Sequence, residues 1–364
     1  MQDEPRGSGG RWSALLVAAV LALAGFLGFR GELPGWPFGD TGTTAAPTVR
    51  PPNPPLDQAA VAAEVTPALV NISTRTRPLG QGAAGTGIVL TADGQVLTSH
   101  HVVKGAEQVV VTTQATGAEY RATVLGYDST ADIALLSLPG ANGLPTARLG
   151  SSSSVRVRDE VLALGNAGGT GGPPTATPGL VTALNSTIVA LNAADLSRKA
   201  LRGMVEVAAP VSSGQSGGAL VDWQGAVVGV VTASSGEAAA ELERPNGYAV
   251  PIDTAMRVVR QIRSGIPTDT VHIGPTATLG VLISDASPSG ARIDVALYGL
   301  PASAAGLADG EVIVSIDGRP IGSARVLRTA IDRRRPGETV RLGVLGADGV
   351  ERTVTVELGL GTPN

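Results

Sequence analysis

A mostly β chain, two folded domains behind an N-terminal apolar segment, is what this sequence predicts, and three observations predict it. Glycine (49) and proline (25) are plentiful among 364 residues while aromatics are 3% and charged residues 16%, which favours strands and turns over long charged helices. Short β-branched runs such as GTGIVL, QVLTS, EQVVVTT, DIALLSL, EVLALG, GLVTAL and AVVGVVTA recur between Gly, Asp and Asn turns, the pattern of an antiparallel barrel or sandwich. The length exceeds one ordinary domain and suits two with tails and a linker.

Residues 1–11 precede an uncharged run, Trp12 to Phe29, which as a helix covers about 27 Å and just spans a bilayer core. Arg6 and Arg11 before it, against Arg30 after it, favour a cytoplasmic N-terminus and an exported remainder at the cell membrane. Ala22-Leu23-Ala24 also fits a processing site of a cleaved signal peptide, and both readings export the protein. Residues 30–56 are Gly/Pro/Thr-rich and read as an extended spacer. A first domain is expected over 57–266, opening with a helix DQAAVAAEV capped by Asp57 and stopped by Pro67, and closing with a helix capped by Asp253 and ended by Gly265. A second, over 268–360, carries two expected short helices, SAAGLAD and SARVLRTAIDRR, the latter capped by Ser323.

Whole classes of chemistry drop out. There is no cysteine, which excludes disulfides, thiolate metal sites and cysteine nucleophiles. No cofactor or metal is expected. A formal net charge of −4 with scattered cations offers no field for nucleic acid. Only His100, His101 and His272 are available for imidazole chemistry.

Ser212-Ser213-Gly214-Gln215-Ser216-Gly217-Gly218 carries the sharpest signal. A serine needs a base to become a nucleophile, and the tetrahedral oxyanion needs aligned donors, which the N–H groups of Gly214 and Ser216 are placed to supply. A Ser/Gly turn reads the same locally, so partners decide. Thr98-Ser99-His100-His101-Val102-Val103 ends an apolar strand, and Asp132 directly precedes another, with Asp128 read as a turn residue. The order His, Asp, Ser, with 132 − 101 = 31 and 216 − 132 = 84 residues between them, is that of the chymotrypsin-type barrels. A G-x-S-x-G elbow would instead need a helix after Ser216 and a histidine downstream of it in the same domain; strand-like ALVDWQGAVVGVV follows, and His272 lies in the interdomain stretch, where it reads as a surface residue.

GTGIVLTADGQVLTSHHVVKGA, YDSTADIALLSL, EVLALGN, VSSGQSGGALVD and GYAVPIDTA together resemble the HtrA (Deg) serine proteases, over residues 58 to 360. The resemblance implies a trypsin-like pair of six-stranded barrels with the site between them, and His101, Asp132 and Ser216 as a triad. It matches Thr232, Ala233 and Ser234 to the segment that pairs with substrate backbone, and it suggests a homotrimer and a preference for small or medium apolar P1 side chains. Gln215 departs from the usual asparagine, and loop 168–179 and the stretch Gly236 to Asn246 depart further, where the family keeps its activation and specificity loops. Leu279-Gly280-Val281-Leu282 and GLADGEVIVSIDGRPI resemble a PDZ domain. That implies backbone amides of Leu279, Gly280 and Val281 holding a peptide's C-terminal carboxylate, the peptide adding as a strand beside helix 324–334. The expected activity is endopeptidase action on exported, misfolded or regulatory, proteins; the rival is a non-cleaving membrane scaffold that binds protein C-termini.

Overall fold

The computed structural model describes residues 53–76, 82–191, 198–234 and 246–363. The apolar run 12–29, the spacer up to 52 and most of the 236–246 stretch lie outside the described residues, and among the described residues no helix is long and apolar enough to cross a membrane.

Helix α1 (Gln58–Val65) starts where expected, Asp57 accepting from Ala60 N at 3.1 Å, and Pro67 follows in a single 3-10 turn. Strands β1 (Leu69–Arg75), β2 (Ala84–Val89), β3 (Gln95–Thr98), β4 (Gln108–Thr113), β5 (Glu119–Asp128) and β6 (Ile133–Ser137) pair in the order β5-β4-β1-β2-β3-β6, and β5 pairs β6 to close the ring. Helix α2 (His100–Val103) follows β3. A second closed barrel, β10-β11-β12-β9-β8-β7, is built from β7 (Glu160–Gly165), β8 (Thr175–Leu191), β9 (Arg198–Ala208), β10 (Ala219–Val221), β11 (Val227–Ser234) and β12 (Asn246–Pro251). Closure pairs most strand edges, but the 232–234 end of β11 pairs with β12 alone.

The period-two pattern sorts the apolar residues. Val70, Ile72, Val96, Val111 and Leu136 belong to one cluster, to which all six strands of the first barrel contribute, and Val161, Val205, Leu220, Val231 and Ala249 to its counterpart in the second. Their alternates, Leu69, Ile88, Leu97, Leu135, Leu162, Leu164 and Val230, join residues of α1 and of α3 (Ile252–Arg263) in a third cluster that joins the two barrels. Helix α3 begins two residues earlier than the sequence suggests. Pro251 occupies the cap position, and Asp253 sits in the first turn, accepting from Ser151 Oγ (2.9 Å) and Ser152 Oγ (2.8 Å); Gly265, at φ +71°, closes the far end.

β13 (Val271–Ile273) adds to the first barrel by pairing with β5, His272 opposite Tyr127. His272 is thus half-buried rather than a surface residue, and the Tyr127 ring stacks between His100 (4.6 Å) and His272 (5.0 Å). The last segment holds a sheet ordered β15-β16-β17-β19-β20, from β15 (Val281–Asp285), β16 (Ala291–Ala296), β17 (Val312–Ile316), β19 (Thr339–Leu345) and β20 (Glu351–Glu357), with β18 (Arg319–Pro320) on β17, and a separate pair, β14 (Ala277–Thr278) and β21 (Gly359–Leu360). The expected SAAGLAD helix is displaced to α4 (Pro301–Ala304), because Pro301 presets its first turn and Gly306 at φ +76° ends it. α5 (Ala324–Asp332) is capped by the Ser323 hydroxyl as predicted. Leu279, Ile293, Ile313, Leu327, Ile331 and Leu342 share the core of this segment.

Candidate active site

The three residues singled out from the sequence come from both barrels: His101 from α2, Asp132 from the β5–β6 turn and Ser216 from the loop before β10. Asp132 has φ +58°, a left-handed conformation unfavourable for a non-glycine residue. Four hydrogen bonds hold it there: its carbonyl accepts from His100 N (3.1 Å), Oδ1 from His101 N (3.0 Å), and Oδ2 from His101 Nδ1 (2.8 Å) and from Thr232 Oγ1. Carboxylate and imidazole are therefore locked through backbone as well as side chain.

The electrostatics follow from burial and this contact. Burial works against charge on both groups. For His101 the field of Asp132 and the hydrogen bond to it prevail, so the imidazole titrates above its ordinary range. For Asp132 the field of His101 and the same hydrogen bond hold the carboxyl well below the usual carboxylate range despite complete burial. His100 differs: burial pushes its imidazole down to about 3, and its Nε2 is buried with no partner among the described residues. Of the adjacent pair, only His101 has a carboxylate partner and an exposed side (36%) from which a substrate is reachable.

Ser216 Oγ donates to Thr232 O at 3.2 Å rather than to the imidazole. The surrounding loop is more tightly fixed. Gly214 has φ +90°, and a Cβ there would lie 2.1 Å from Asn166 O, so no other residue fits. Among the described residues the N–H groups of Gly214 and Ser216 have no acceptor, whereas their neighbours do: Gln215 N donates to Ser212 O (3.1 Å) and Gly217 N to Val231 O (2.7 Å). Two free amides beside a serine form a site for an oxyanion. Gln215 does more than shape the backbone. Fully buried, it accepts from Ser212 N (2.9 Å) through Oε1 and donates through Nε2 to Thr177 Oγ1 (3.0 Å), pinning the loop to β8.

Thr232 is the residue whose second use the sequence did not disclose: its carbonyl holds Ser216 and its hydroxyl holds Asp132. Ala233 and Ser234 continue β11 beside the site. Gly247 on β12, opposite Ser234, packs so closely on the core residue Val211 that a Cβ would meet its Cγ2 at 2.4 Å and Val207 Cγ2 at 3.2 Å. In the last segment, β15 is an edge strand with α5 packed beside it. At its start Gly280 is left-handed (φ +78°), its N–H donates to Thr278 Oγ1 (3.1 Å), and Leu279 O accepts from Ala302 N (2.9 Å). The described residues contain no cluster of side chains able to hold a metal ion.

Comparison with known proteins decides what this geometry belongs to. Residues 85–230 match the trypsin-like peptidase domain and residues 277–358 the PDZ domain. The serine protease PepD of Mycobacterium tuberculosis is 33% identical over 99% of this chain and 79% of its own length. The chain belongs to the HtrA family of serine proteases. It spans about half the length of curated DegP-like relatives: a DegP-like probable periplasmic serine endoprotease of Halomonas elongata is 31% identical over 76% of this chain and 56% of its own. Among solved HtrA structures, the HtrA-type protease AlgW with a tripeptide is 28% identical at a TM-score of 0.50, covering 84% of this chain and 98% of that one.

Proposed function

We propose that this HtrA protein is a serine endopeptidase in which Ser216 attacks the scissile carbonyl, His101 takes its proton and returns it to the leaving amine, and Asp132 fixes the ring and stabilises its charged form. The observation that carries this reading is the His101–Asp132 contact of 2.8 Å beside a serine flanked by two unpaired amides. Free N–H groups of Gly214 and Ser216 support their role as the oxyanion hole. Thr232, Ala233 and Ser234 would pair with the substrate backbone. A preference for small or medium apolar P1 side chains follows from the family resemblance and is to be tested with a peptide library.

The domains run 57–266 for the protease and 268–360 for the PDZ domain. The edge strand β15 supports addition of a peptide C-terminus as a further strand beside α5, its carboxylate at Leu279, Gly280 and Val281. In this reading Gly280 must exchange its bond to Thr278 Oγ1 for the ligand. The periplasmic naming of DegP-like relatives supports an exported enzyme; residues 12–29 would anchor it, with 1–11 cytoplasmic and 30–56 as tether. Assembly as a homotrimer is the expectation to test by light scattering.

A fluorophosphonate probe tests the central assignment. The wild-type protein should label and Ser216→Ala should not. Because Ser216 Oγ is turned to Thr232 O, the assay includes a peptide ending in an apolar residue as activator. Failure to label with and without it favours the scaffold that binds C-termini without cleaving.

A further inference from the structure

We propose that Thr86, on β2 of the first barrel, is a positioning residue that anchors the loop carrying the two oxyanion-binding amides of the second, holding the peptide planes that follow each of them; the inference rests on the serine-peptidase reading above. In a planar trans peptide the N–H and C=O point to opposite sides, so tying down a carbonyl aims the following N–H. Along 213–216 every carbonyl is tied: Ser213 O accepts from Gly168 N (2.7 Å), Gly214 O from Thr86 Oγ1 (2.8 Å), Gln215 O from Gly218 N (2.9 Å) and Ser216 O from Thr86 N (2.8 Å). The first and third ties leave the N–H groups of Gly214 and Ser216 facing away, unpaired. The second and fourth, both from Thr86, fix the segment between and after them.

Thr86 is fully buried, and both capacities of its hydroxyl are used, since it also accepts from Asn166 N at 2.8 Å. Asn166 in turn holds the loop that supplies Gly168, its carbonyl accepting from Gly169 N (2.9 Å) and its Oδ1 from Gly171 N (3.0 Å). One hydroxyl thus joins the nucleophile loop and the 166–171 loop. Among the described residues whose hydrogen bonds hold these four carbonyls, Thr86 alone belongs to the first barrel. Its own carbonyl accepts from Thr98 Oγ1 (2.7 Å), at the strand end that leads into α2 and His101. Replacing the hydroxyl by a methyl leaves Gly214 O and Asn166 N buried without partners, and the peptide planes lose their reason to stay.

The test compares Thr86→Val, of the same shape, with Thr86→Ser, which keeps the hydroxyl. Turnover is read with a fluorogenic peptide carrying an apolar P1 residue. Binding is read with a peptide aldehyde and the corresponding peptide alcohol. The aldehyde adds Ser216 Oγ to its carbonyl carbon, the serine proton passes to His101 and the former carbonyl oxygen becomes the oxyanion; the alcohol has no such oxygen. Thr86→Val should lower kcat by about 10- to 100-fold with KM within about threefold, weaken the aldehyde in parallel and leave the alcohol unchanged, and Thr86→Ser should return both to within about threefold. If Thr86→Val does not fold, Thr86→Cys, which matches Thr86→Ser in branching and offers only a weak donor, carries the same comparison against Thr86→Ser. Wild-type kcat and aldehyde affinity in Thr86→Val, or in Thr86→Cys where that stands in, overturns the inference, as does equal loss in Thr86→Ser. Loss of activity in Ser216→Ala with none in Thr86→Val sinks this inference alone; full activity in Ser216→Ala sinks the peptidase reading beneath it.

Discussion

The two barrels contribute to one site by different means. In the first, His101 and Asp132 lie on a four-residue helix and a tight turn, joined by backbone and side-chain hydrogen bonds within a span of 31 residues. In the second, Ser216 and its amides lie on a glycine-rich loop held by Gln215, Gly168 and Thr86, the last 128 residues from the carbonyl it binds. The acid–base half is therefore joined mainly within the first barrel, with one bond from Thr232 of the second, whereas the oxyanion half is held by more distant contacts from both barrels.

The largest effect should come from breaking the acid–base half. Asp132→Asn removes the acceptor that fixes the His101 tautomer, and kcat should fall by about 10⁴-fold. The same change tests the electrostatics. His101 must be neutral to act as base, and Asp132 raises its pKa, so activity in the wild type should be lost as pH falls through a value above the ordinary histidine pKa of about 6.5. In Asp132→Asn the raising influences are gone and burial remains, so the acid limb of kcat/KM should move to lower pH. A limb that stays in place assigns the titration to another group.

Thr232→Val comes next, because it touches both halves. The hydroxyl bond to Asp132 is lost while the carbonyl facing Ser216 stays, so kcat should drop by roughly tenfold with little change in KM. A change in KM alone would make Thr232 a substrate-pairing residue and nothing more. Gln215→Ala should act chiefly on stability. It leaves the Thr177 hydroxyl buried without this partner and frees Ser212 N, and urea denaturation should report a loss of about 1–3 kcal/mol. No loss would mean that water replaces the amide and that the loop stands without it.

The same division explains what could be read from the sequence. His101, Asp132 and Ser216 stood out because the chemistry demands those residue types beside strand ends and glycines, and the barrel strands because β-branched runs alternate with turns. Thr86 and Asn166 did not: a hydroxyl donating to a carbonyl 128 positions away leaves no local pattern, and Thr86 lies inside a run that reads simply as a strand. Thr232 was legible as a strand residue beside the substrate but not as a partner of Asp132, for the same reason. β13 was missed as part of the first barrel because three residues, VHI, are too few to show a period. Asp253 looked like a cap because a helix began near it, and Pro251 took the place because its fixed φ suits a helix entrance.

The smallest effect is expected at the residue adjacent in sequence to the proposed base, His101. His100 has the same imidazole, one position from His101, yet it is buried, neutral above about pH 3, stacked on Tyr127 and left with an unpartnered Nε2. An apolar ring of similar size keeps the stack and removes a polar atom that burial penalises, so His100→Phe should leave kcat/KM within about threefold and the melting temperature unchanged or higher. The contrast with His101→Phe, which should abolish turnover, then isolates the carboxylate contact as the feature that separates two neighbouring histidines. A large fall in kcat in His100→Phe, at wild-type stability, would mean that the buried ring is coupled to the site.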